Sequence, residues 1–220
     1  MREVKREFAT INARLSPPRD PMSDDVVDRM LAGYAFVDEL LERGVQLFTL
    51  RHLPLLLELN TMVLCGRDAA RRAEFTDHLV ATEARFYEER TGGIRDLLEW
   101  YEMHAGNSAW FRAAGSFIRI LSKPQLFVEG NHRSGTLVAS WILAASGHPP
   151  FVLSVDNALA YFEPSGVIRE IPKNGPIAVF RMAAARRRLA AFLRAQANPA
   201  YLAPAGAPQS GTGERAYDYT

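Results

Sequence analysis

The chain contains little of what marks several common protein classes. A single cysteine, Cys65, in 220 residues excludes an internal disulfide framework and a multi-cysteine metal site. Twenty-six basic and 25 acidic side chains leave a formal charge of +1, so we expect no nucleic-acid partner. The most apolar window, residues 47–65, contains Arg51, Pro54 and Glu58, and it is too polar to span a membrane.

The amino terminus and the overall composition narrow the class further. The first seven residues are mostly charged and lack the apolar stretch of a secretory signal peptide, so we predict a cytoplasmic protein without a membrane partner. The length fits one domain, and a composition that is 48% hydrophobic and 23% charged supplies enough apolar side chains for a core.

Apolar residues recur at three- and four-residue steps through most of the sequence, which is typical of helices. No strand pattern is long enough for a sheet, so the predicted fold class is all-α. Pro164-Ser165-Gly166 predicts a turn, and Pro54 predicts either a kink or a first helical turn. The predicted helices span residues 23–43, 46–65, 67–90, 94–104, 107–122, 131–146, 156–162 and 176–197.

Composition also divides the chain into three parts. We predict an N-terminal extension over residues 1–22 and a helical domain over residues 23–202. Glycine, proline, alanine and serine dominate residues 203–220, which predicts a flexible C-terminal tail.

One segment has the pattern of an anion-binding site. It follows one predicted helix and opens the next, so the first backbone N–H groups near Gly130 and Asn131 lack intrahelical partners. Those donors and the helix dipole favour a phosphate, and His132 and Arg133 add further donors. Glu129 is placed to hold a magnesium ion that bridges phosphates. The segment reads Gln125-Leu-Phe-Val-Glu-Gly-Asn-His-Arg-Ser-Gly135.

This segment has two other interpretations. A Gly-Asn pair before a helix also serves as a plain turn and cap, so a purely structural loop stays open. The spacing of Gly130 and Gly135 partly matches a P-loop. Thr136 and Leu137 stand where that motif needs Lys-Ser/Thr, and no long strand precedes the segment, so we exclude a P-loop NTPase.

The pattern Phe127-x-Glu129-Gly130-Asn131-x-Arg133 resembles the core of the Fic domain (Fic/Doc, or Fido). The signature of that family reads His-Pro-Phe-x-[Asp/Glu]-Gly-Asn-Gly-Arg-x-x-Arg. The resemblance implies a compact helical domain with the phosphate-binding loop between two central helices. It also implies transfer of AMP, or of a related phosphate-bearing group, from a nucleotide onto the hydroxyl of a target protein.

The resemblance covers roughly residues 107–150, including Gly147-His148-Pro149-Pro150 after the second central helix. It implies that Glu129 holds magnesium together with the nucleotide. It implies a phosphate- or nucleotide-binding set of Glu129, Gly130, Asn131, His132, Arg133, Ser134 and Gly135.

Three departures from the family signature matter for the chemistry. Gln125 stands at the catalytic histidine, and a glutamine amide accepts no proton near neutral pH. His132 replaces the second glycine. Thr136 replaces the final arginine, which removes a charge that would face a terminal phosphate; a monophosphate or diphosphate ligand stays open.

His132 offers two roles. The helix dipole lowers its pKa and favours the neutral ring, so it could act as a relocated base. Capping the helix or donating to a phosphate is the interpretation that we favour. Downstream, Ser165, Gly166 and Arg169 form a candidate second anion-binding wall, while Asp156 and Asn157 fit a helix cap.

Three functions therefore stay open from the sequence. The first is a Fic-like protein that binds a phosphate-bearing ligand and transfers part of it by an altered mechanism. The second is a catalytically inactive Fic-like pseudoenzyme that acts as a binding or interaction module. The third is a helical interaction protein whose glycine loop is only structural.

Overall fold

A computed structural model describes residues 1–16, 18–90, 92–173 and 176–202. Within these ranges the chain forms ten α-helices and two short 3₁₀ helices and no β-strand, which confirms the all-α class. The predicted tail, residues 203–220, lies outside the described residues. In the same part of the chain, none of the helices combines the length and the hydropathy that crossing a bilayer requires.

The helices follow one another through connections that are mostly short. A 3₁₀ turn over Leu50–His52 precedes α3, and another over Pro199–Tyr201 follows α10. The α-helices are α1 Arg2–Asn12, α2 Asp24–Glu42, α3 Leu53–Cys65, α4 Ala69–Glu74, α5 Thr76–Phe86, α6 Ile94–Met103, α7 Ala109–Leu121, α8 Asn131–Ala145, α9 Val155–Arg169 and α10 Pro176–Ala195.

Helix α8 lies at the centre of the fold and is buried over most of its length. It packs most extensively against α7, and also against α2 and α3. The close approach of α7 depends on Gly135, because an added Cβ there would lie 3.0 Å from Phe117 and 3.1 Å from Leu121. The two helices that flank the predicted loop are therefore central helices of the domain.

Local sequence signals set several helix starts. Ser23, Ser108 and Ser154 each accept a hydrogen bond from a first-turn backbone N–H of α2, α7 and α9, and Asn157 completes a capping box with Ser154. These caps confirm the predicted starts of α2 and α7. Of the cap predicted at Asp156 and Asn157, Asn157 takes part in the capping box, but the N-cap residue is Ser154.

Two predicted helices of the first half of the chain differ from the observed ones. The helix predicted over 46–65 begins only at Leu53, because residues 46–49 form turns in which the Gln46 carbonyl accepts from the Thr49 hydroxyl. Pro54 falls in the first turn of α3, where its missing N–H costs no bond. The helix predicted over 67–90 divides into α4 and α5 at Phe75.

The turn predicted at Pro164-Ser165-Gly166 is wrong, because α9 continues through it to Arg169. Burial compensates for the proline: Ser165 and Ile168 lie in the core, and the Ser165 hydroxyl donates to the Phe162 carbonyl at 2.8 Å. The helix therefore carries Arg169 to its last turn.

Residues of the predicted N-terminal extension form α1, which packs on α9 and buries Val4, Phe8 and Ile11. The connection from α1 to α2 is fixed by Asn12, whose side chain donates to the Arg19 carbonyl at 2.8 Å and accepts from the Arg19 N–H at 2.6 Å. These two bonds hold Arg19 beside α9.

Candidate functional site

The loop between α7 and α8 is anchored in the core by apolar side chains. Leu126 and Phe127 are almost fully buried, and the Phe127 ring stacks on Phe86 with centroids 5.7 Å apart. Aromatic stacking adds to the burial of the ring. The loop therefore leaves the core as a fixed structure, with Val128 and Glu129 towards solvent.

Asn131 ties the loop to the first turn of α8. Its side-chain oxygen accepts from the Phe127 N–H at 2.9 Å, and its amide nitrogen donates to the Phe127 carbonyl at 2.8 Å. Because both groups of the side chain are used within the loop, Asn131 offers a ligand only its backbone N–H. The pattern that predicts a phosphate site therefore also has a structural role, since Asn131 clamps the loop at Phe127.

A second clamp comes from α3. The Asn60 amide donates to the Glu129 carbonyl at 2.8 Å and to the Ser134 hydroxyl at 3.0 Å. Gly130 adopts a left-handed conformation with φ of 76°, and a Cβ there would lie 2.8 Å from the Asn60 amide. Only glycine fits this position without strain.

Ser134 and Gly135 were both predicted to contact phosphate, and the structure places them away from the loop surface. Ser134 is fully buried and faces Asn60, while Gly135 packs against α7. We therefore remove these two residues from the candidate set. Asn60 was missed, although a polar residue within an apolar helix is a signal that sequence reasoning could have used.

A cavity of about 290 Å³ lies against the exposed side of the loop. Its wall combines the loop, the first turn of α8, the α1–α2 connection and the end of α9. The lining residues are Arg19, Asp20, Gln125, Val128, Glu129, Gly130, Asn131, His132, Arg133 and Arg169. The structure thus brings five of the predicted binding residues together with Gln125 and Arg169. Ser165 and Gly166, the other two residues of the predicted second wall, do not line this cavity.

The first turn of α8 presents unpaired donors at this cavity. The first intrahelical bond runs from the Ser134 N–H to the Gly130 carbonyl at 2.9 Å. No described residue accepts a hydrogen bond from the backbone N–H of Asn131, His132 or Arg133. Three free N–H groups at the positive end of a helix dipole form a site that suits an anion.

Three arginines add positive charge. Arg19 donates to the Phe162 carbonyl at 3.0 Å, and Arg133 donates to the Val63 carbonyl at 2.5 Å. Burial lowers the pKa of both guanidinium groups below the usual arginine value, yet both stay charged at neutral pH. Arg169 has a side chain 56% exposed, and its one acidic contact is with Glu170 at 4.0 Å.

His132 lies between this cavity and a small apolar one beside Tyr161. Burial, and then the charge of Arg19, lower its pKa to about 4. The ring is therefore neutral at pH 7, and its Nε2 atom has no hydrogen-bond partner among the described residues. A group with so low a pKa is a weak base, since it holds a proton poorly.

The other two departures from the Fic signature are also visible. The Gln125 amide donates to the Leu121 carbonyl at 3.3 Å and accepts from Asn131 at 3.4 Å. Thr136 is buried, and its hydroxyl lies 2.7 Å from the Tyr161 hydroxyl. Thr136 brings no charge to this position, and the cation whose charge acts on the neighbouring Tyr161 is Arg19.

The comparisons with known proteins identify no relative of this chain. No family model, curated protein or solved structure matches the chain. The resemblance to the Fic signature therefore stays a pattern within one loop.

Glu129 is the candidate magnesium ligand. Its side chain is 57% exposed and lies 3.4 Å from the Arg133 guanidinium. In the described ranges no group of three or more His, Cys, Asp or Glu residues could hold a metal ion. A single carboxylate fits magnesium only where phosphates complete the coordination, as they do in nucleotide complexes.

Proposed function

We propose that this protein binds the phosphate groups of a nucleotide, or of a related phosphate-bearing small molecule, in the cavity beside the loop. The observation that carries the proposal is the convergence of three partnerless N–H groups at the start of α8 with Arg19, Arg133 and Arg169. Asp20 and Glu129 offset two of the three arginine charges, so the wall keeps one positive charge beyond the helix dipole.

The proposed ligand carries a monophosphate or a diphosphate. The position where the Fic signature has its last arginine holds Thr136, which is buried and bonded to Tyr161. A third phosphate would find no charged side chain at position 136 itself. Magnesium, if it accompanies the ligand, is held by Glu129 together with the phosphates, and it is not needed for binding because the arginines already supply charge.

We further propose that the site binds without transferring AMP, as a Fic-like pseudoenzyme that acts as a binding module. General-base catalysis needs a group that accepts the proton of an attacking hydroxyl. Gln125 cannot accept it, and His132, with its pKa near 4, accepts it poorly. Both candidate catalytic positions therefore fit a role in shaping the cavity.

Titration calorimetry with AMP, ADP and ATP, in magnesium and in EDTA, tests binding. We expect ADP or AMP to bind at least as tightly as ATP, and we expect EDTA to change the affinity little. At one hundred times its Kd the ligand should stabilise the fold by about 2.7 kcal/mol. The absence of heat and of stabilisation with all three nucleotides would leave a structural loop.

Arg169→Gln is the sharpest variant, because Arg169 is exposed and its removal leaves the fold intact. We expect a roughly tenfold loss of affinity, the cost of one charge-assisted contact. Arg188→Gln is the matched control, since Arg188 lies exposed on α10 and does not line the cavity. Equal affinities of the two variants would contradict the proposed site.

Incubation with α-labelled ATP and a cell lysate tests for transfer. We expect no labelled protein. Labelling that disappears in His132→Ala would instead establish the altered-base mechanism, and labelling that survives this change would place the base elsewhere. Gln125→His supplies the histidine of the family signature and shows whether the rest of the site supports transfer.

A further inference from the structure

A second cavity, of about 340 Å³, lies between α6, α7 and α10 and shares no lining residue with the phosphate cavity. One side of it is apolar and is formed by Trp100, Ile118 and Met182. The Trp100 ring lies against the backbone of α7, where a Cβ on Gly115 would come within 1.8 Å of it. The indole is therefore held as a fixed, flat wall.

Arg186 supplies positive charge to this cavity. Its guanidinium lies 4.3 Å from the Phe111 ring centroid and 5.7 Å from that of Trp100. Its Nε atom is buried, and no described residue accepts a hydrogen bond from this side chain or pairs with its charge. A guanidinium held by two rings and left without an acceptor is oriented for a planar anion.

The remaining charges do not neutralise Arg186. Arg119 binds both oxygens of Asp96, at 2.6 and 2.7 Å, so the Asp96 carboxylate neutralises Arg119 and not Arg186. Glu99 is paired with Arg95 at 2.7 Å. Arg95 lies outside the lining, so Arg186 and Lys173 are the two lining cations that no described carboxylate pairs with.

Lys173 is the third cation of the lining. Its side chain is buried, and its ammonium donates to the Gly92 carbonyl at 2.7 Å. Burial lowers the pKa of Lys173 to about 8. A bound anion would offset the desolvation of this ammonium.

We propose that this cavity is a second binding site, and that its ligand is a monocarboxylate with an aromatic or apolar body. The carboxylate binds Arg186, and the body of the ligand packs on Trp100. The Lys173 ammonium is held by the Gly92 carbonyl, so the Arg186 guanidinium is the lining cation left without an acceptor, and one carboxylate satisfies it. A guanidinium fork also fits the two oxygens of a carboxylate.

Calorimetry of the full chain with 3-phenylpropionate and with its neutral amide tests the proposal. We expect the carboxylate to bind and the amide to bind at least roughly tenfold more weakly. Arg186→Gln should weaken the carboxylate by a similar factor, whereas Arg187→Gln, on the next and exposed residue, should not. Equal binding of acid and amide, or no binding of either, would overturn the proposal.

A second measurement tests the site without relying on the fold of Arg186→Gln. Because Trp100 forms the wall, ligand binding to the unaltered protein should change tryptophan fluorescence, and Trp100→Phe should remove most of that change. A response unaltered in Trp100→Phe would place the ligand elsewhere. Arg169→Gln should leave binding at this site unaffected, so that the two proposed sites are tested independently.

Discussion

Asn131 provides the sharpest test of how the loop is held, because its side chain bonds both polar backbone groups of Phe127. Asn131→Ala leaves a buried N–H and a buried carbonyl without partners. Each unsatisfied group costs about 1–3 kcal/mol. Alanine favours the helix slightly more than asparagine does, by about 0.5 kcal/mol. We therefore expect a net loss of about 3 kcal/mol in the free energy of unfolding.

The loss of free energy is measured by urea unfolding and the change in Tm by thermal unfolding, both followed by circular dichroism. In a chain of this size each kcal/mol lowers the Tm by about 2–4 °C, so the Tm should fall by roughly 6–12 °C. Gln125→Ala is the matched control, since its hydrogen bonds are long, at 3.3 and 3.4 Å, and it should cost under about 1 kcal/mol.

A difference between Asn131→Ala and this control of less than about 0.5 kcal/mol would refute the reasoning. It would mean that water replaces the side chain at Phe127 without penalty, and that Asn131 is not the clamp of the loop. In that case the shape of the phosphate cavity would have to depend on Asn60 alone.

Three further results are expected from urea unfolding. The folded pKa of His132, near 4, lies below the ordinary value of 6.5. The contribution of the neutral ring to the free energy of unfolding is therefore complete above pH 6.5 and falls by up to about 3 kcal/mol as the pH drops towards 4. His132→Gln should lack this part of the pH dependence. Gly130→Ala should cost at least about 1–2 kcal/mol, because φ is 76° and the new methyl group meets Asn60, and a neutral effect would contradict the left-handed conformation. Gly115→Ala should cost about 1–3 kcal/mol through its clash with the α6 indole, whereas Gly106→Ala, which meets nothing within 4 Å, should be neutral; equal effects would rule out that packing.

Helix starts could be predicted wherever a neighbouring side chain determines them. Ser23 and Ser108 cap α2 and α7 within three residues of the cap, so the sequence carries the whole signal. The course of α9 could not be predicted in this way. Pro164 and Gly166 weaken a helix locally, and what restores it is the burial of one side of α9 in the core.

The residues of the candidate site show the same difference between local and long-range signals. Four of them lie within five consecutive positions of the sequence, and their place at the loop was predicted: Glu129, Gly130, His132 and Arg133. Arg19 was not, because it acts from the α1–α2 connection and bonds a carbonyl 143 residues away. Ser134 was misassigned since adjacency along a helix says nothing about which residue faces the core.

The wide separation of Arg19 and Arg169 in the sequence has a consequence during translation. Arg169 follows Arg19 by 150 residues, and both must be in place before the cavity has its full charge. A nascent chain still missing α9 therefore offers the proposed ligand only part of the receptor. The proposed ligand would stabilise the finished domain, and it would not serve as a template for early assembly on the ribosome.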